Sequence, residues 1–143
     1  MYGDKSRYRV KSLTLNLEPI NLSIKHIRVT GGNMEIIETK QNGFLIFKLK
    51  GRLDSKTSPD FEKRIFEAIE SGSNSIIVDF EDLDYISSAG LRVVLKATKN
   101  LKRSEGRFVL CSMKDYVKEV FEISGFDTFL PIVPTLDEAL NQS

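Results

Sequence analysis

The stretch DYISSAGLRVV, Asp84 to Val94, decides the fold. Two serines stand together, then Ala-Gly, then an apolar run at helical spacing. Just upstream, SIIVDF (75–80) is a short, β-branched, nearly continuous apolar run, the pattern of a strand buried on both faces. Leu91, Val94, Leu95, Thr98 and Leu101 then recur at three- and four-residue steps, which predicts a helix beginning near Ser88. A buried strand that hands over to a helix is the unit from which open α/β sheets are built.

Working outward, the same alternation continues in both directions. MEIIET opens a first strand at Met34, Asn42-Gly43 signals a tight turn, and FLIFKLKG is a second strand ending at Gly51. Ser58-Pro59-Asp60 reads as a helix start, with Ser58 as cap, proline in the first turn and an acid near the positive end of the dipole. Phe61, Ile65, Ala68 and Ile69 make its apolar stripe, and Gly72 closes it. After the central helix come a strand (RFVLCS), a helix capped by Ser112 and carrying Val117, Val120 and Phe121, and a short strand (LPIV). A capping box at Thr135–Glu138 opens a last helix. The order β-β-α-β-α-β-α-β-α predicts an α/β domain with a mixed, mostly parallel sheet of about four to five strands and helices packed on it.

Residues 1–33 read differently. Val10, Leu13, Leu15 and Leu17 alternate with polar residues and suggest a strand, while Gly31-Gly32-Asn33 reads as a joint. The expected division is an N-terminal arm, 1–33, and one domain, 34–143. The arm is read as leader or non-native extension, with Met34 the natural start. The arm holds six basic and two acidic residues, so the net charge of +1 hides a domain at −3. A mildly acidic domain does not suit nucleic acid.

Composition excludes more than it assigns. With 41% apolar and 29% charged residues, no run near 20 apolar residues and no signal-peptide core, the chain reads as a cytoplasmic globule without membrane insertion. His26, in the arm, is the only histidine, and Cys111 the only cysteine. Triads, imidazole metal sites and zinc clusters are therefore not expected, and neither is any cofactor. Cys111 lies in an apolar run and reads as a small buried hydrophobe.

Ser87 and Ser88 carry two readings. A serine before a helix is ordinarily an N-cap, and Ser88 is read as the cap here. The pair also follows the end of a buried strand, where open sheets display functional groups, and small Ala89 and Gly90 leave the backbone open to a second protein. A phosphate on Ser88 would stand at a helix N-terminus and beside Asp79, Glu81, Asp82 and Asp84, so it would deepen a negative rim and repel a docked partner.

The run IIVDFEDLDYISSAGLRVVLKA, with GRLD at 51–54 and the ending ISGFDTFLPIVPTLDEAL, resembles the STAS domain family, specifically bacterial anti-sigma factor antagonists. The likeness spans nearly all of residues 34–143. It implies a non-catalytic module that sequesters an anti-sigma factor serine kinase, is released when phosphorylated and is restored by a metal-dependent serine phosphatase. The family pattern Asp-Ser-(Ser/Thr/Ala)-Gly-Leu places the acceptor two residues before glycine, which is Ser88; Ser87, where many members have aspartate, is the second choice. The implied partner surface is Gly51, Arg52, Leu53, Asp54, Asp84, Tyr85, Ile86, Ser87, Ser88, Ala89, Gly90 and Arg92, on a protein that is monomeric when free.

Other candidates remain open. Asp54 is either a turn residue bonding local backbone or a contact residue. Arg92, Lys96, Lys99 and Arg103 form a basic helix face, either solvated or a docking surface for an acidic partner. Phe121, Phe126 and Phe129 read as packing rather than a base-stacking platform. The alternative functions are a constitutive STAS scaffold in a lipid-transport or sensory complex, and a small nucleotide-binding enzyme. The last lacks a Gly-rich phosphate loop.

Overall fold

The computed structural model describes residues 25–28 and 33–142; the strand expected near Val10–Leu17 lies outside them. A six-stranded sheet runs in chain order: β1 (Lys25–Arg28), β2 (Met34–Gln41), β3 (Phe44–Leu53), β4 (Ser75–Ile86), β5 (Arg107–Cys111) and β6 (Ile132–Val133). The first two pairings are antiparallel and the next three parallel. Five strands thus fall in the expected domain, and the sixth, β1, comes from the arm. Asn42 and Gly43 both take positive φ, 53° and 82°, the hairpin geometry that Asn-Gly favours.

The helices are α1 (Ser58–Glu70), α2 (Ser88–Arg103), α3 (Asp115–Ile123) and α4 (Leu136–Leu140). Period-2 alternation in the strands gives the sheet two apolar faces. On one, Phe47, Leu49, Val78 and Phe80 pack with Phe61 and Ile65 of α1, Val94 and Leu101 of α2, and Phe121 of α3. Edge-on ring pairs, Phe47–Phe61 at 6.2 Å and Phe80–Phe121 at 6.0 Å, anchor α1 and α3 to it. On the other face, Phe44, Ile46, Ile77, Val109 and Cys111 meet Ala139 and Leu140 of α4.

Several element ends differ from expectation, each for a local reason. β4 does not stop at Phe80 but runs to Ile86, because it keeps its pairing with β3 as far as Leu53↔Ile86. β3 passes through Gly51 to Leu53, and the register shifts beside Lys48–Lys50 and Gly51–Arg52 each place one extra residue in the facing strand β4. Gly51 has φ +108°, and a Cβ there would lie 2.1 Å from the Asn33 carbonyl oxygen, which accepts the Arg52 N–H at 2.8 Å. Thr57, not Ser58, is the cap residue of α1, and Ser58 is its buried first residue. Lys114, not Ser112, precedes α3; Ser112 sits at φ +62° and cannot place its hydroxyl as a cap. Thr135 does accept the Glu138 N–H, as the capping box requires.

Candidate functional site

The C-terminal ends of the parallel strands β3 and β4 lie side by side, with Arg52 opposite Tyr85 and Leu53 opposite Ile86. Each strand feeds a helix, so the β3–α1 turn and the β4–α2 junction share one end of the sheet. That register is what joins Gly51–Asp54 to Asp84–Gly90, two segments far apart in sequence. In the second segment Asp84, Tyr85 and Ile86 are strand, and Ser87 alone separates β4 from α2.

The two serines divide the roles between them. Ser87 is the N-cap, in extended backbone (φ −98°, ψ 175°), and its Oγ accepts the Gly90 N–H at 3.4 Å. Its own N–H donates to the Leu53 carbonyl at 2.9 Å, and its carbonyl accepts the Leu91 N–H at 3.0 Å. Ser88, expected to be the cap, is instead the first helical residue, and it is exposed. The cap hydrogen bond is made by Ser87, not by the Ser88 hydroxyl.

Small residues at 89 and 90 were expected to open the backbone to a partner. Gly90 is instead buried, and a Cβ on it would stand 2.8 Å from Leu53 Cγ and 2.9 Å from Ile86 Cγ1. Its smallness lets the first turn of α2 settle on the strand ends. Leu53 and Ile86 are buried as well. These three residues lie beneath the exposed side chains at this end of the sheet. Arg52, Asp84, Tyr85, Ser88 and Arg92 are exposed, and Gly51, Asp54, Ser87 and Ala89 half-buried.

Asp54 is a turn residue. Its Oδ1 accepts the Lys56 and Thr57 N–H groups at 3.0 and 3.1 Å, while Thr57 Oγ1 accepts the Asp54 N–H and donates to the Arg52 carbonyl. Desolvation pushes this carboxyl up, but those N–H groups, the Thr57 hydroxyl and Arg52 outweigh it, and it titrates below its ordinary value. Arg52 lies 3.9 Å from Asp54 Oδ2 and 4.1 Å above the Tyr85 ring, a cation–π contact that fixes both side chains.

The acidic rim expected around Ser88 is largely compensated. Lys114 binds Asp84 across from the start of α3, and the carboxylate holds the Lys114 amine above its ordinary value. Lys48 spans Glu81 and Asp82 at 3.3 and 3.4 Å. Asp79 is buried on the sheet. Desolvation raises its carboxyl, with the Glu81 N–H and Lys48 pulling the other way. Lys114 and Lys48 were missed by sequence reasoning. Lys114 follows the next parallel strand, β5, so the rule that strand C-termini face one way could have found it.

The basic face of α2 is partly engaged. Lys96 pairs with Glu62 of α1, whereas Arg92 has no ion pair among the described residues. A groove of about 420 Å³ runs between α1 and α2 from this end, lined in part by Ser55, Ala89, Arg92, Lys96 and Lys99. Cys111 is buried, and desolvation, aided by Asp79, pushes its thiol up to about 12, so it is no nucleophile at neutral pH. Among the described residues no cluster of His, Cys, Asp and Glu could hold a metal ion, and no helix is long and apolar enough to cross a membrane.

The chain is similar to several known proteins. A candidate anti-sigma factor antagonist of Bordetella bronchiseptica, BtrV, is 40% identical over 106 residues, covering 74% of this chain and 91% of its own. The anti-sigma-B factor antagonist of Staphylococcus aureus is 27% identical over 100 residues, covering 70% of this chain and 93% of its own. A crystal structure of a candidate anti-sigma factor antagonist from Thermotoga maritima superimposes with a TM-score of 0.70 at 25% identity, covering 72% of this chain and 89% of that one. Residues 35–139 match the model of the STAS domain, from β2 to the penultimate residue of α4, and the chain belongs to that family.

Proposed function

We propose that the protein is an anti-sigma factor antagonist: a binding module, itself without catalytic activity, that sequesters an anti-sigma factor serine kinase and is switched off by phosphorylation of Ser88. A metal-dependent serine phosphatase returns it to the binding state. The observation that carries this reading is the division of labour at the β4–α2 junction. Ser87 does the capping, which leaves Ser88 exposed on the first turn of α2 with no structural duty. Two relatives named as anti-sigma factor antagonists support the antagonist part of this reading.

Around Ser88 the docking surface is composed of Arg52, Tyr85, Asp84, Ala89 and Arg92, standing on Leu53, Ile86 and Gly90. A phosphate adds about −1.5 to −2 charges and three acceptor oxygens to the middle of it. The scaffold beneath is tightly packed, so the modification acts on the partner by bulk, charge and desolvation rather than by refolding this domain.

The test is recovery of partners from the host by tagged wild-type protein, Ser88→Ala and Ser88→Asp, with phosphate occupancy measured on the peptide spanning residues 84–92. The expected result is an anti-sigma factor kinase retained by Ser88→Ala and lost by Ser88→Asp, with phosphate on Ser88 that varies with growth state. Equal recovery by all three, with no phosphate in any condition, would favour a constitutive scaffold in a lipid-transport or sensory complex.

A further inference from the structure

We infer that Arg92 is the intramolecular counter-charge for a phosphate on Ser88, so that phosphorylation removes an arginine from the docking surface as well as adding a phosphate to it. The inference rests on the reading of Ser88 as the modified residue and concerns what the phosphate does once present.

Ser88 and Arg92 are four residues apart on α2, and residues so spaced stack on one face of a helix, one turn apart. Both are exposed. Charges around Ser88 are otherwise accounted for on every neighbouring element. On β3 and its turn, Arg52 lies over Tyr85 and close to Asp54, whose carboxylate is also held by two backbone N–H groups. On β4, Asp84 is bound by Lys114 from the start of α3. Further along α2, Lys96 is bound by Glu62 of α1. Arg92 and Lys56, the latter exposed on the β3–α1 turn, are the nearby cations without a carboxylate among the described residues.

Of these two, Arg92 has the fixed relation to Ser88. It shares a regular helix with it, while Lys56 belongs to a separate turn and is displayed from it on a flexible stem. Guanidinium also matches phosphate oxygens with paired, parallel N–H donors, which an ammonium cannot do. In the unmodified protein Arg92 stands free over the α1–α2 groove, available to an acidic group of a partner. Once Ser88 carries a dianion, the arginine turns back one helical turn and is neutralised.

The experiment installs phosphoserine at position 88 during synthesis, by an expanded genetic code, in the full chain. The second ionisation of the phosphate, ordinarily near pH 6, is then followed by ³¹P NMR. Wild type, Arg92→Gln, Lys56→Gln and Lys96→Gln are compared at low salt. The expected result is a titration midpoint a few tenths of a pH unit lower in wild type, Lys56→Gln and Lys96→Gln than in Arg92→Gln, with the difference shrinking in 1 M salt as an exposed ion pair requires. Equal midpoints for wild type and Arg92→Gln would overturn the inference, and so would a shift abolished by Lys56→Gln instead. No kinase enters the titration. A flat result therefore sinks the Arg92 contact and leaves the switch standing, whereas absence of phosphate on Ser88 in the host sinks the switch without touching the titration.

Discussion

A methyl group added at Gly90 would press on Leu53 and Ile86 at distances no real Cβ tolerates, and both of those side chains are buried at the ends of adjacent strands. Gly90→Ala should therefore destabilise the domain by about 1–3 kcal/mol, the range for overpacking a filled core. A fall in the urea midpoint at unchanged m-value would show it; an unaltered midpoint would mean that the first turn of α2 is loosely seated. Ser87 gives a second residue-scale prediction. Ser87→Ala removes the cap and should cost roughly 0.5–1 kcal/mol, the lower part of the usual range because the Gly90 contact is long; Ser87→Asp should restore it, since aspartate caps as well as serine does. This explains why a position that resembles a family aspartate can hold serine without harm. The sequence pointed to Ser88 as the cap and the structure gives that role to Ser87, because the choice depends on the backbone angles of Ser87, which a pair of identical side chains does not encode. It also suggested accessibility at Gly90 where the chain uses smallness for internal packing: a glycine without partners in view says only that space is short.

At the scale of the element, β4 was legible in its first half and hidden in its second. SIIVDF is a nearly continuous apolar run, but EDLDYI carries three acids in six residues, and its extension depends on pairing with β3 and on burial of Leu83 and Ile86. The cost of carrying an acid within such a strand falls on Asp79, which is buried beside Cys111 and whose carboxyl desolvation raises above its ordinary value. A group whose folded pKa is raised favours folding while protonated. Its contribution is fully present below the unfolded carboxyl pKa and is lost as pH rises through the folded value. Asp79→Asn keeps an acceptor for the Glu81 N–H and removes the charge. The variant should gain stability relative to wild type as pH rises from about 3.5 to 7, and the gap should close again on acidification. Melting curves at the two pH values check this, and a gap that widens toward low pH would show that the Lys48 attraction outweighs burial.

For the whole molecule, the α/β class, the helix positions and the mixed sheet were readable because apolar periodicity survives in each element, whereas the junction between β3 and β4 that assembles the candidate site was not, since register between distant strands leaves no local mark. The boundary of the domain is the remaining question at this scale. Among the described residues both apolar cores are assembled between Met34 and Leu140, and the match to the STAS domain covers 35–139. Yet β1 pairs with β2, and the Asn33 carbonyl accepts the Arg52 N–H. Among the described residues, removing 1–33 takes away the edge strand β1 and the Asn33–Arg52 hydrogen bond. The shortened chain should unfold in a single cooperative transition, with stability reduced by a few kcal/mol at most, and should be monomeric, because Glu35 and Lys40 along β2 discourage edge-to-edge pairing. Its charge of −3 at neutral pH, in place of +1, assists by mutual repulsion. Sedimentation velocity and urea denaturation of the chain beginning at Met34 make the test. A cooperative monomer supports residues 34–143 as the folding unit. Loss of the transition would make β1 an integral strand of the domain, and a dimer would mean that the arm shields an edge which β2 cannot protect alone.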